Sequence, residues 1–132
     1  MPSESKKSYS VLLVDDDKFL LDMYLLKFQK SGLEIDTSSN SQNALEKLRA
    51  SNSYDIILLD IIMPGMDGLE LLKTIRNEKL VPNAIIIMLT NQADDFDKAK
   101  PLGIDGYIIK ATTIPSEVVD QVLLIYETKR KK

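Results

Sequence analysis

Short aliphatic runs recur along the chain: Val11-Leu12-Leu13-Val14, Tyr54 to Leu59, Ala84 to Leu89 and Ile104 to Ile109. Apolar on both faces, they have the pattern of strands buried inside a parallel sheet. Leu33-Glu34-Ile35-Asp36-Thr37 alternates instead, which suits an edge strand with one wet face. Between these runs, apolar residues recur at helical spacing. Leu21, Leu25 and Phe28 line the first such face, Ala44, Leu45 and Leu48 the second, Leu69, Leu71, Leu72 and Ile75 the third, and Val118, Val122 and Ile125 the last. The fourth helix is weaker: it follows Asn91-Gln92-Ala93 and runs to about Ala99, since Pro101 lacks a donor and restricts Lys100. Strand and helix in repeated alternation imply right-handed crossovers and helices on both sheet faces, an α/β doubly wound fold.

Composition narrows the chemistry. The 132 residues suit one domain, expected over about residues 9–128, with a flexible N-terminus at 1–8 and a basic C-terminal tail at 129–132. A net charge of −3 offers no broad basic field for nucleic acid or anionic membrane. There is no Cys and no His, which excludes disulfides, thiolate zinc sites and the usual general base. The polar start carries no secretory pattern, and no apolar run approaches the roughly 20 residues of a membrane span, so the chain is expected to be soluble and cytoplasmic.

The polar residues at the strand ends carry the candidate chemistry. Asp15 and Asp16 follow the first strand, Asp60 ends the third, Thr90 follows the fourth and Lys110 the fifth. In open α/β sheets the ligand site lies outside the carboxyl ends of the strands, so these residues are expected to meet. Taken singly, each has a plainer role as a helix cap, a strand-end residue or a solvated lysine. Three converging carboxylates repel one another, and either one is protonated or a cation is recruited. Oxygen-only ligands point to Mg²⁺ or Mn²⁺. With Lys110 and the Thr90 hydroxyl added, the site is suited to an anion such as a phosphoryl group.

Val14-Asp15-Asp16, Leu59-Asp60, Met63-Pro64-Gly65-Met66-Asp67-Gly68, Leu89-Thr90 and Gly106-Tyr107-Ile108-Ile109-Lys110 together resemble the receiver domain of two-component response regulators. The resemblance implies a flavodoxin-like five-stranded parallel sheet in the order 2-1-3-4-5 with five flanking helices. It implies that Asp60 is the phosphoacceptor, taking a phosphoryl group from a histidine kinase or phosphotransfer protein. Asp16, Asp60 and the backbone carbonyl of Ile62 would bind Mg²⁺ directly, Asp15 would act largely through water, and Thr90 and Lys110 would hold the phosphoryl oxygens. It also implies a switch, in which Thr90 moves toward the phosphoryl group and Tyr107 rotates inward. The surface of the fourth helix, fifth strand and fifth helix would then change for a downstream protein or fused output domain; a weak dimer is also allowed. Catalysis would be confined to its own phosphoryl transfer and dephosphorylation.

Some positions depart from the family pattern. Ala111 stands where a proline usually follows the lysine, Asn91 replaces a small residue, and Pro101 replaces a helix residue. Ile62, Asn91 and Gln92 sit where hydrolysis is tuned, and an aliphatic residue at 62 predicts a long-lived phosphoryl state. Asp67 with Glu70 forms a capping-box pattern and stays outside the site, and Asp17 belongs to the first helix N-terminus. Two rival readings follow from the same residues. One is a receiver-like module that binds a partner without phosphorylation, through its first and fifth helices. The other is a haloacid-dehalogenase-like phosphohydrolase built on Asp15 and Asp17, for which the chain has no room for a cap domain. A flavodoxin proper is disfavoured because an acidic turn after the first strand would repel a flavin phosphate.

Overall fold

The computed structural model describes residues 9–51, 53–91 and 96–130. Five strands, β1 (Ser10–Val14), β2 (Glu34–Ser38), β3 (Ile56–Leu59), β4 (Ile85–Thr90) and β5 (Gly106–Ile109), form one sheet in the order β2-β1-β3-β4-β5, every pair parallel. The helices are α1 (Lys18–Lys30), α2 (Ser41–Ala50), α3 (Gly68–Glu78), α4 (Phe96–Ala99) and α5 (Pro115–Arg130). The doubly wound, flavodoxin-like expectation is met.

Alternation along the central strands divides the core in two. Val11, Leu13, Ile56, Leu58, Ile87 and Leu89 pack under α1 and α5, meeting Leu21, Phe28, Val118 and Val122. Leu12, Val14, Ile57, Leu59, Ile86 and Met88 face the other way, toward Ala44, Leu45, Leu71, Leu72 and Ile75. Each fully buried Leu or Ile contributes roughly 1.5–3 kcal/mol, so the sheet is held mainly by these two layers. The helix starts are capped by side chains: Asp17 accepts from Leu20 N at 3.2 Å, Asn40 from Asn43 N at 2.8 Å, and Asp67 and Glu70 form a complete capping box.

Several local expectations need correction. β5 is not buried on both faces: it is the last strand of the sheet, and Gly106, Tyr107 and Ile109 are half-buried. Its aliphatic run could not reveal that only one neighbour covers it. In α1 the buried face is Leu21, Tyr24 and Phe28, whereas Leu25 is half-buried. The hydroxyl of Tyr24 disguised a core position. β3 and β5 begin at Ile56 and Gly106, two residues later than the aliphatic runs, and Thr90 is the last residue of β4 rather than the one after it. The basic tail is helical as far as Arg130, and Glu127, just before it in α5, accepts a hydrogen bond from Tyr9 at 2.5 Å. Residues 1–8, 131 and 132 lie outside the described residues. As expected from Pro101, α4 ends at Ala99 and passes into a 3-10 turn, Lys100–Leu102, closed by Gly103 at φ 87°.

Candidate active site

Parallel pairing in the order β1-β3-β4-β5 brings four strand ends side by side. Val14 pairs with Leu59 and Thr90 with Ile109, so the residues next in chain, Asp15, Asp60 and Lys110, emerge along one edge with Thr90. They line a cavity of about 300 Å³, together with Asp16, Asp17, Leu20, Ile62 and Asn91. All the site residues expected from sequence therefore converge there except Tyr107, which lies in β5 opposite Met88, and Gln92, which is outside the described residues. Tyr107 is half-buried and packs against the core layer beneath α2 and α3.

Asp15 is 1 % exposed and both its oxygens are engaged: Oδ1 accepts from the Asp17 backbone N–H at 2.9 Å and Oδ2 from Lys110 Nζ at 2.7 Å. The same ammonium lies 3.7 Å from Asp60 Oδ2, so one buried cation bridges two buried carboxylates. The Lys110 ammonium thus rests on Asp15. With Ala at 111 its amine still reaches the pocket. Asp16 is exposed at the mouth. Carboxylate oxygens of Asp15, Asp16 and Asp60 all lie within 4.8 Å of one another.

Charge bookkeeping in this cluster is unfavourable: three carboxylates face one lysine. Burial first, and then the field of Asp15, raise the Asp60 carboxyl to about 7 against the opposing pull of Lys110, with Asp16 adding to the rise. Tyr24, beneath the site in α1, is pushed up to about 12 by burial and by the negative fields of Asp15 and Asp60. A hard divalent cation among these oxygens would relieve the repulsion. The donor set, oxygen-only with one open side, fits Mg²⁺ or Mn²⁺.

Two features escaped the sequence. A Cβ on Gly68 would lie 2.0 Å from the Asp60 carbonyl oxygen, so α3 begins against the backbone of Asp60 itself, and Gly68 N–H donates to Ile61 O at 2.8 Å. The one signal was its place at the end of the Met-Pro-Gly loop. Ser41, at the start of α2, reaches the same loop and donates to the Met66 carbonyl at 2.7 Å. Nothing in its local sequence sets it apart.

The response regulator receiver domain family model matches residues 11–122. The alkaline phosphatase synthesis transcriptional regulatory protein PhoP of Bacillus subtilis is 34 % identical over 117 residues, covering 87 % of this chain and 47 % of PhoP. The transcriptional regulatory protein ResD of the same organism is 39 % identical, covering 85 % of this chain and 45 % of ResD. The chain thus spans a little under half the length of these curated relatives. Among solved structures, Vibrio cholerae chemotaxis protein CheY4 superposes with a TM-score of 0.81 at 26 % identity, covering 90 % of this chain and 99 % of that one. Response regulator protein TrrA of Thermotoga maritima, solved in complex with Mg²⁺-BeF, gives 0.77 at 33 % identity over 89 % of this chain and 98 % of its own. Sharing both the fold and the sequence pattern over most of its length, the chain belongs to the response regulator receiver domain family of two-component signalling.

Proposed function

We propose that the unit over residues 9–128 is a phosphoacceptor: it takes a phosphoryl group from a phosphohistidine of a sensor kinase or phosphotransfer protein onto Asp60. The observation that carries this reading is the Lys110 ammonium set between Asp15 and Asp60, at 2.7 and 3.7 Å, beside the three-carboxylate cluster. An Asp60 oxygen attacks phosphorus, the P–N bond breaks, and the leaving imidazole keeps the electron pair and takes up a proton. Asp16, Asp60 and the Ile62 carbonyl would hold Mg²⁺ or Mn²⁺, with Asp15 supporting them. When bound, the cation supplies charge neutralisation for the incoming phosphoryl oxygens. Lys110 then exchanges part of its contact with Asp15 for a phosphoryl oxygen, and the buried Thr90 hydroxyl donates to another.

The reading extends to output. Thr90 ends β4 two residues beyond Met88, the register partner of Tyr107, so a shift of Thr90 toward phosphate frees space along the strand into which Tyr107 turns. The α4-β5-α5 surface changes with it, and a partner protein or fused output domain reads the change. Ile62, 56 % exposed in the cavity lining, presents no group that orients water, and Asn91 narrows the mouth; both favour a long-lived phosphoryl state. Intact mass after incubation with acetyl phosphate and Mg²⁺ tests the core reading. The wild type gains one phosphoryl mass, and Asp60→Asn or excess chelator abolishes it; uptake by Asp60→Asn equal to wild type refutes it.

The phosphohydrolase reading needs Asp15 as nucleophile, and both Asp15 oxygens already accept hydrogen bonds, from the Asp17 N–H and from Lys110. Exposed Leu26 on α1 and Leu124 on α5, at 57 % and 67 %, favour the phosphorylation-independent docking module as the second reading. Under it, partner binding survives Asp60→Asn and fails with Leu124→Glu. No helix among the described residues is long and apolar enough to cross a membrane.

A further inference from the structure

Among the described residues, besides the Lys110 side chain and the Tyr24 hydroxyl, the buried polar residues are Asp15, Asp60 and Thr90 in the site and Ser38 and Ser41 outside it. Burying a hydroxyl is costly unless it is bonded, so the two serines need a reason. Ser38 closes β2, and its backbone carbonyl accepts from the Asp15 N–H at 3.1 Å. Its hydroxyl lies 2.9 Å from the Asn40 carbonyl and 2.8 Å from Asn43 Oδ1, fixing the first turn of α2 to the end of the strand. Ser41, on that same turn and 2 % exposed, donates to the Met66 carbonyl at 2.7 Å. The β2-α2 turn therefore joins the loop that carries Asp15 and Asp16 to the loop that carries Asp60 and Ile62.

Among the described residues, few other anchors hold the outer part of the second loop. Its inner end is fixed by the Gly68 N–H to Ile61 O bond, and Met63 is buried in the core. Pro64 and Ile62 are exposed, and Gly65 turns the chain at φ 75°. The hydrogen bond at Met66 holds the far limb of this loop.

The geometry points to Ser41 as a positioning residue for the cation seat, setting the spacing between the two acidic loops through its bond to Met66. This rests on the proposed function, in which that seat holds Mg²⁺. The test is calorimetric titration of the metal-free protein with Mg²⁺, at a temperature where every variant is folded. Ser41→Ala is expected to weaken binding about tenfold, the range for partners that orient metal ligands, whereas Leu48→Ala, a cavity about two turns along the same helix, changes it less than about twofold. Amide hydrogen exchange in the metal-free protein supplies a second readout: residues 61–67 exchange faster in Ser41→Ala and not in Leu48→Ala. Should Ser41→Ala fail to fold, Ser41→Cys, of similar volume and a weaker donor, is expected to show the same changes in lesser degree. Wild-type affinity and wild-type exchange in the Ser41 variant overturn this inference alone. A wild type that binds no Mg²⁺ refutes the proposed function, and this inference with it.

Discussion

Gly68→Ala adds a single carbon at the start of α3, and by helix propensity alone it should help, by up to ~1 kcal/mol. The surroundings reverse the sign. The new Cβ would stand 2.0 Å from the Asp60 carbonyl oxygen, and 2.8 Å from both the Asp60 carbonyl carbon and the Ile61 Cα. Ordinary carbon–oxygen approaches are about 3.3 Å, so more than ~1 Å of relief is needed. All the obstructing atoms are main chain and cannot rotate away. Overpacking of this kind costs roughly 1–3 kcal/mol or more, and the net expectation is a loss of about 2 kcal/mol. Urea unfolding followed by circular dichroism measures that loss. Because the displaced backbone belongs to Asp60, the carboxylate also shifts relative to Lys110, and displacement near 1 Å lowers a rate by up to about 100-fold. Acetyl phosphate uptake is therefore expected to slow at least about tenfold at saturating Mg²⁺. Gly32→Ala is the control: its φ is +84° and nothing lies within 4 Å of the added carbon, so it carries only the left-handed backbone penalty of about 1 kcal/mol. It should phosphorylate normally. A Gly68→Ala protein as stable as wild type and phosphorylated at the wild-type rate would refute the reasoning.

Asp60→Asn removes one of three crowded carboxylates and should stabilise the metal-free protein by about 1–2 kcal/mol at pH 8, measured by urea unfolding with chelator present. Saturating Mg²⁺ should narrow that difference, because the cation stabilises the wild type more than the variant; equal stability in chelator argues against the repulsion. Lys79 caps α3 in the left-handed region at φ 56° and ψ 41°, so Lys79→Gly is expected to raise stability by about 0.5–1 kcal/mol in thermal unfolding. Asp36 is raised by partial burial but more strongly lowered by hydrogen bonds from Lys47 and Tyr54, leaving it below its ordinary value. Its ionised form therefore stabilises the fold above the unfolded carboxylate pKa of about 4, and that support is lost as pH falls through the lowered folded value. Asp36→Asn should cost about 1 kcal/mol at pH 7, with solvent screening allowed for, and progressively less below pH ~4; a cost independent of pH contradicts this assignment.

How much of this was written in the sequence depends on the range of the interaction. The central strands were legible because β1, β3 and β4 are buried on both faces, and burial on both faces leaves an unbroken aliphatic run. β5 has the same kind of run but only one neighbour, and strand order is a property of the whole sheet that no local run encodes. The convergence of the strand-end residues was legible for a related reason: parallel strands must share one carboxyl edge, so Asp15, Asp60, Thr90 and Lys110 had one place to meet. What lay out of reach was partner choice within that edge. Lys110 could sit on either carboxylate, and it sits closer to Asp15, the more deeply buried of the two. Gly68 and Ser41 were hidden more completely. A glycine required by a neighbouring carbonyl and a serine bonded to a carbonyl 25 positions away look like any other glycine and serine until the chain is folded. Both act on the loop from Asp60 to Gly68. The acidic groups therefore supply the chemistry, while their spacing is set by small residues whose contribution is steric or a single hydrogen bond.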